Sequence, residues 1–209
     1  MTSPAQVARR GARLRLSPDV RIPQILDAAL ALFAERGFAA ARMDDLAQRC
    51  ELSKGGLYAH FASKDEVLEA LLQRALAAPA LTPPREPLPL SPTQLADWLI
   101  EQLYDRLQDP QTQAALRLLV AESERVPHLV AQWHQRVVQP YVDALGRLMQ
   151  QTLAASGRRD PLLAQEPWMA LSPALQALLM ELLLPDLRPR PLERARAAHR
   201  ALLLRLLGA

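Results

Sequence analysis

The chain is predicted to be all-α, with a small N-terminal helical domain and a larger C-terminal one, and three observations carry that expectation. Apolar residues recur at helical spacing through almost all of the 209 residues. No stretch alternates with the period of two that a half-buried strand requires. Glycine, proline and capping residues stand where each helical pattern begins or stops.

Composition narrows the class. A single Cys50 rules out an internal disulfide, and no apolar run reaches the roughly 20 residues that span a bilayer. The N-terminus is basic but no signal-type apolar core follows it, so a cytoplasmic protein without a membrane partner is expected. The formal net charge is only +3, so its placement says more than its size. Residues 1–21 carry five Arg against the one acid Asp19. Residues 1–20 therefore form a basic arm, either a solvated tail or a segment that reaches a DNA minor groove.

From Ile22 the apolar positions Ile25, Leu26, Ala29, Leu30 and Phe33 follow an amphipathic helix. Gly37 fits a left-handed C-terminal cap. A second helix starts near Met43, where Asp44 and Asp45 complement the helix dipole and Leu46, Ala47 and Cys50 face inward. Cys50 reads as a small buried hydrophobe rather than a reactive thiol, since no catalytic partner is in view. Ser53 caps a third helix of barely two turns, with Leu57, Tyr58 and Phe61 on one face. Ser63, with Glu66 three residues on, opens a fourth through a reciprocal capping box. That helix carries Val67, Leu68, Leu71, Leu72 and Leu76 and stops before Pro79. Six prolines in residues 79–92 make a stiff connector, which sets the N-terminal domain at 21–78 and the C-terminal one at 93–209.

Beyond the connector, Leu95, Trp98, Leu99 and Leu103 mark one helix, and Asp109-Pro110 starts the next. A long helix after Pro127 is expected to bend at Pro140, which frees the carbonyl of Arg136. Gly157 ends it, and Asp160-Pro161 opens another segment. The last two helices carry leucines over more surface than one core needs, which favours a two-fold interface.

A helix of two turns cannot stand alone, so the third helix must be presented on its neighbours. What it presents is Lys54, Gly55, Gly56, the Tyr58 hydroxyl and the His60 imidazole, groups suited to a closely approached polyanion. Met43-Asp44-Asp45-Leu46-Ala47 followed by Ser53-Lys54-Gly55-Gly56-Leu57-Tyr58-Ala59-His60-Phe61 and Lys64 resembles the helix-turn-helix of the tetracycline-repressor (TetR/AcrR) family, over roughly residues 21–78. Two departures lie just upstream. Ala40, Ala41 and Arg42 stand where the family has a phosphate-binding hydroxyl, and Arg42 replaces it by charge. Cys50-Glu51 replaces Ala-Gly in the turn, so Glu51 is expected in a left-handed conformation.

The resemblance implies a three-helix helix-turn-helix domain joined to a ligand-sensing and dimerisation domain. It implies a repressor that binds a palindromic DNA operator as a homodimer and is released by an unidentified small-molecule effector. Arg42, Ser53, Lys54, Gly55, Gly56, Tyr58, His60 and Lys64 are then the DNA-contacting set. Lys54 is placed to read guanine edges or a nearby phosphate, while Tyr58, His60 and Lys64 are placed to hold phosphates. Tyr58 also reads as partly core, and Lys64 as an ordinary solvated first-turn residue.

In the same way Leu171, Leu175, Leu178, Leu179, Leu182, Leu202 and Leu206 are expected at the dimer interface, with His199 in or beside it. Trp98, Tyr104, Trp133, Tyr141, Met149, Trp168 and Met169 are candidate linings of a ligand pocket, plain core being the alternative for each. Glu101 or Glu122 is placed to meet a cationic ligand unless it lies on a solvated face. No cofactor is expected, and four histidines without ligand spacing argue against a metal. An enzyme is disfavoured because Glu-x-x-His pairs and a nucleotide-binding glycine frame are missing. The remaining alternative is an interaction module of this fold that has lost DNA binding.

Overall fold

The computed structural model describes residues 17–81, 89–158 and 161–208, and eleven α-helices with no strand occur among them. Residues 1–16 of the arginine-rich arm and residues 82–88 of the proline-rich connector lie outside the described residues.

Helix α1 (Pro18–Arg36) starts four residues earlier than the apolar pattern suggests. Ser17 is extended and Pro18 takes the first helical position, where proline's missing N–H costs nothing. Gly37 ends the helix at φ 74, ψ 154, a region open essentially to glycine alone and not the left-handed cap expected. Three short helices follow: α2 (Met43–Arg49), α3 (Lys54–Tyr58) and α4 (Lys64–Ala75). Ser63 caps α4 by accepting from the Glu66 N–H at 3.1 Å. The return bond of the expected box is shifted by one residue: the Glu66 carboxylate accepts from the Ala62 N–H at 2.6 Å, not from that of Ser63.

These helices share one apolar core around Ile25, Phe33, Leu46, Leu57, Leu68 and Leu72. That core does not stop at the connector. Ala115, Leu118 and Leu119 of α6 (Pro110–Glu122) and Leu129 of α7 (Pro127–Trp133) complete it. Helices from beyond the connector thus add to the surface that the first four bury.

A second core joins α5 (Pro92–Gln108), α8 (Gln139–Ala155), α10 (Ser172–Leu183) and α11 (Pro191–Leu207). Between α8 and α10 lie α9 (Pro161–Gln165) and a single 3₁₀ turn, Pro167–Ala170. Ser91 and Gln94 form a capping box at the start of α5, and Asp109 caps α6 by accepting from the Thr112 N–H at 2.7 Å. Pro140 does not break the α7–α8 rod. The chain instead widens into a π-helical turn at His134–Val138, where the Gln139 N–H donates to the carbonyl of His134. One extra residue in the turn absorbs the donor that proline lacks.

His199 is buried within the subunit against this second core, 1% exposed. Its Nε2 is 2.8 Å from the Ala170 carbonyl and its Nδ1 is 3.2 Å from the Tyr104 hydroxyl. A carbonyl only accepts, so Nε2 carries the proton and Nδ1 accepts from Tyr104. Burial pushes the His199 pKa below its ordinary 6.5, against a smaller opposing effect of the Ala170 bond. The folded state therefore resists protonation, and its stability is lost as pH falls below the unfolded value. The thermal midpoint is expected to drop between about pH 7 and about pH 5.5, and His199→Gln to flatten that drop in melts followed by circular dichroism.

Candidate nucleic-acid interface

The reading head is built from α2, the turn after it, and α3. Arg42 precedes α2 in extended conformation and its N–H donates to the Asp45 carboxylate at 3.2 Å. Asp45 also pairs with Arg36 at 3.4 Å, and Arg49 makes a two-pronged contact with Glu35 at 2.9 and 2.5 Å. These bonds fix α2 on α1. Glu51 takes φ 53 as the sequence requires, and the strain it carries is testable. Glu51→Gly is expected to raise stability by about 0.5–1 kcal/mol in denaturant titrations.

Ser53 caps α3, its hydroxyl accepting from the Gly56 N–H at 3.1 Å. Leu57 points into the core and anchors the helix, while Tyr58 is 42% exposed on the outer side. The two glycines differ. A Cβ at Gly55 would meet open space, which leaves that flank bare. A Cβ at Gly56 would sit 3.1 Å from the Ser53 hydroxyl, so this glycine protects the cap. His60 follows α3 half-buried, in the bend before α4.

Lys64 departs from expectation. Its ammonium donates to three carbonyls, those of Phe38 at 2.5 Å, Ala41 at 2.9 Å and Ala39 at 3.2 Å. It also lies 4.4 Å from the centre of the Phe38 ring. An ammonium has three protons and all are engaged, so Lys64 is a structural bolt for the α1–α2 turn rather than a free phosphate clamp. From the opposite side the Glu122 carboxylate, 5% exposed, accepts from the Phe38 N–H at 3.1 Å and pairs with Arg125 at 3.1 Å. Glu122 is thus neither ligand contact nor solvated face, and Glu101 is exposed on α5.

Arg42, Lys54 and Tyr58 converge on a shallow cleft of about 310 Å³ beside α3. Lys54 is exposed and bonded to Asp44 at 3.0 Å, and that carboxylate raises its pKa. Cys50 packs half-buried against the N-terminal core, and burial pushes its thiol pKa up, which keeps it protonated.

In the C-terminal half the seven candidate pocket residues divide. Trp133, Tyr141 and Trp168 line an apolar cavity of about 170 Å³ that opens beside the end of α4. Trp98, Tyr104 and Met149 are buried in the second core away from it, and Met169 is exposed. Helical spacing could not separate these, because pocket and core faces adjoin on one helix. The expected interface residues divide too. Leu171, Leu178 and His199 are buried within the subunit, Leu182 and Leu206 are half-buried against its core, and Leu175, Leu179 and Leu202 are exposed. Leu183 is also exposed and extends the same stripe.

A capped short helix held by Leu57, set after a tight turn and beside a basic cleft, defines an all-helical DNA-binding protein of the helix-turn-helix class. Comparison with known proteins agrees. The model of the bacterial regulatory proteins of the tetR family matches residues 25–71, and that of the AefR-like transcriptional repressor C-terminal domain matches residues 94–206. The chain belongs to the TetR family of transcriptional regulators, whose members bind DNA operators and act as dimers.

Among curated relatives, the transcriptional activator FasR of Mycolicibacterium smegmatis is 49% identical over 71 residues, 34% of this chain and 32% of that protein. The transcriptional regulator UidR of Escherichia coli K12 is 32% identical over 113 residues, 52% of this chain and 54% of that one. The matched stretches thus span about a third to a half of these relatives. The crystal structure of a transcriptional regulator from Pseudomonas aeruginosa PAO1 shares the fold with a TM-score of 0.73 at 20% identity, over 93% of this chain and 94% of that one. These relatives are regulators, not enzymes. No helix among the described residues is long and apolar enough to cross a membrane.

Proposed function

We propose that the chain is a homodimeric repressor that holds a palindromic operator through Arg42, Lys54, Tyr58 and His60 and lets it go when a small apolar molecule binds. The observation that carries the DNA half is the convergence of Arg42, Lys54 and Tyr58 on one cleft beside a capped, side-chain-poor helix. Arg42 and Tyr58 hold phosphates and set the register, and Lys54 reaches the groove. Repression rather than activation is favoured by the C-terminal match to an AefR-like repressor domain.

Leu179 and Leu183 stand exposed along α10, and Leu202 of α11 is exposed and lines a groove of about 540 Å³ with Met180 and Ala198. This face suits a second copy, which places two reading heads on two half-sites. Leu179→Glu is expected to yield monomers in light scattering and to abolish operator binding, because one head alone makes too few contacts.

The effector half rests on the apolar cavity. Two of its lining residues also hold the C-terminal end of α4: Arg106 donates to the Ala75 carbonyl at 2.7 Å, and the Trp133 indole to that of Leu76 at 3.5 Å. A molecule entering the cavity presses on this clamp and shifts α4, and with it the spacing of the heads. Tyr141 lines the same space with a buried hydroxyl that has no partner and a pKa pushed up to about 12 by burial. The effector is therefore an apolar compound with one hydrogen-bonding group.

The test is a mobility shift on genomic fragments across salt, followed by release with a panel of small aromatic compounds. Fragments carrying an inverted repeat should be retained, and releasing compounds should quench the fluorescence of Trp133 and Trp168. If no fragment binds at low salt, the regulator reading fails.

A further inference from the structure

One acid stands among the bases of the cleft. Asp44 lines the cleft with Arg42, Lys54 and Tyr58, and its two carboxylate oxygens lie 3.0 and 3.2 Å from the Lys54 ammonium. Asp44 is not what holds α2 in place. Its neighbour Asp45 does that, by accepting from the Arg42 N–H and pairing with Arg36. The side chains of Asp44 and Lys54 remain 63% and 66% exposed, so the pair lies in water, where such a bond is weak and readily exchanged. A carboxylate facing a polyanion opposes binding to every duplex alike through its charge. Its bond to Lys54, by contrast, acts differently on different sequences.

We propose that Asp44 is a specificity-determining residue of the DNA-reading head: it holds the Lys54 ammonium in one place for a base edge and withholds that charge from the phosphates of other sequences. The proposal rests on the cleft being the DNA-facing surface. Non-specific complexes are held almost wholly by phosphate neutralisation, so a lysine already paired contributes little to them. At the operator, the ammonium keeps Asp44 as one partner and gains a guanine acceptor as another, since it has three donors. The same carboxylate thus weakens the wrong complexes more than the right one.

The experiment uses the full chain with Asp44→Asn, Lys54→Ala and the double variant. Binding is read by fluorescence anisotropy on a genomic fragment selected by the wild type and on a random-sequence duplex. Asp44→Asn is expected to bind the random duplex roughly tenfold more tightly and the selected fragment only about twofold more tightly, so selectivity falls roughly fivefold. In the Lys54→Ala background, the Asp44 substitution should change selectivity by less than about twofold. Asp44→Ser, which keeps a good first-turn residue without the charge, should repeat the result and guards against a folding defect of the asparagine variant. Equal tightening on both duplexes would reduce Asp44 to a plain repulsive charge. Weakening on both, or the same loss of selectivity without Lys54, would also overturn the proposal. A wild type that binds no fragment defeats the regulator reading instead, which keeps the two failures apart.

Discussion

Lys64→Met is expected to destabilise the protein by about 2–3 kcal/mol in the absence of any DNA, as read by denaturant unfolding. The magnitude follows from what the ammonium does. It donates to the carbonyls of Phe38, Ala39 and Ala41 and lies over the Phe38 ring. Hydrogen bonds from a charged group to partly buried carbonyls are worth more than neutral ones, and removing the donor leaves acceptors without partners. Methionine keeps the unbranched stem, so the loss measures the charge and its bonds rather than the packing. Lys64→Arg should recover only part, because a planar fork cannot spread its donors as a rotating ammonium does. DNA affinity should fall for all sequences together, as the turn that aims α2 loosens. A variant of unchanged stability with a reduced salt dependence of binding would return Lys64 to the role of phosphate clamp.

That contrast marks where the sequence was informative. Helix starts were legible because their signals are local: Ser53, Ser63 and Asp109 cap α3, α4 and α6 within three residues of their partners. Glu51 was legible for the same reason, since a turn that needs φ above zero betrays itself wherever glycine is missing. The family match was strongest across these local features. Lys64 was not legible, because its partners lie 23–26 residues away and nothing in its neighbourhood distinguishes a bolt from a solvated lysine. The leucines of α10 failed for another reason. Steps of three and four residues keep Leu171, Leu175 and Leu178 on the face that lines the apolar cavity, while Leu179 and Leu183 turn outward, and the two stripes merge in a sequence so rich in leucine. The earlier start of α1 was hidden by Ser17-Pro18, which read as the end of a basic tail.

Glu122→Ala is expected to cost about 2–3 kcal/mol, and to do so at the reading head although the residue belongs to α6. Its carboxylate crosses 84 residues of sequence to accept from the Phe38 N–H. The Gly37 backbone turns against it, so closely that a Cβ at Gly37 would lie 3.6 Å from the same oxygen. Alanine leaves a buried backbone donor unsatisfied, the most costly way to lose such a bond. The lost pair with Arg125 adds little, since that side chain is 65% exposed. Glu122→Gln keeps an acceptor for Phe38 and should cost only about 1 kcal/mol.

The decisive measurement is the double variant with Lys64→Met. Lys64 binds the carbonyl side of the α1–α2 turn and Glu122 its N–H side, so once either grip is released the other holds a turn that is already loose. The two losses should then sum to less than their separate values by about 1 kcal/mol. Strict additivity would mean that the two groups stabilise separate parts of the head. Sub-additivity would establish one turn held from both α4 and α6, whose residues Leu76, at the end of α4, and Thr112 both line the apolar cavity.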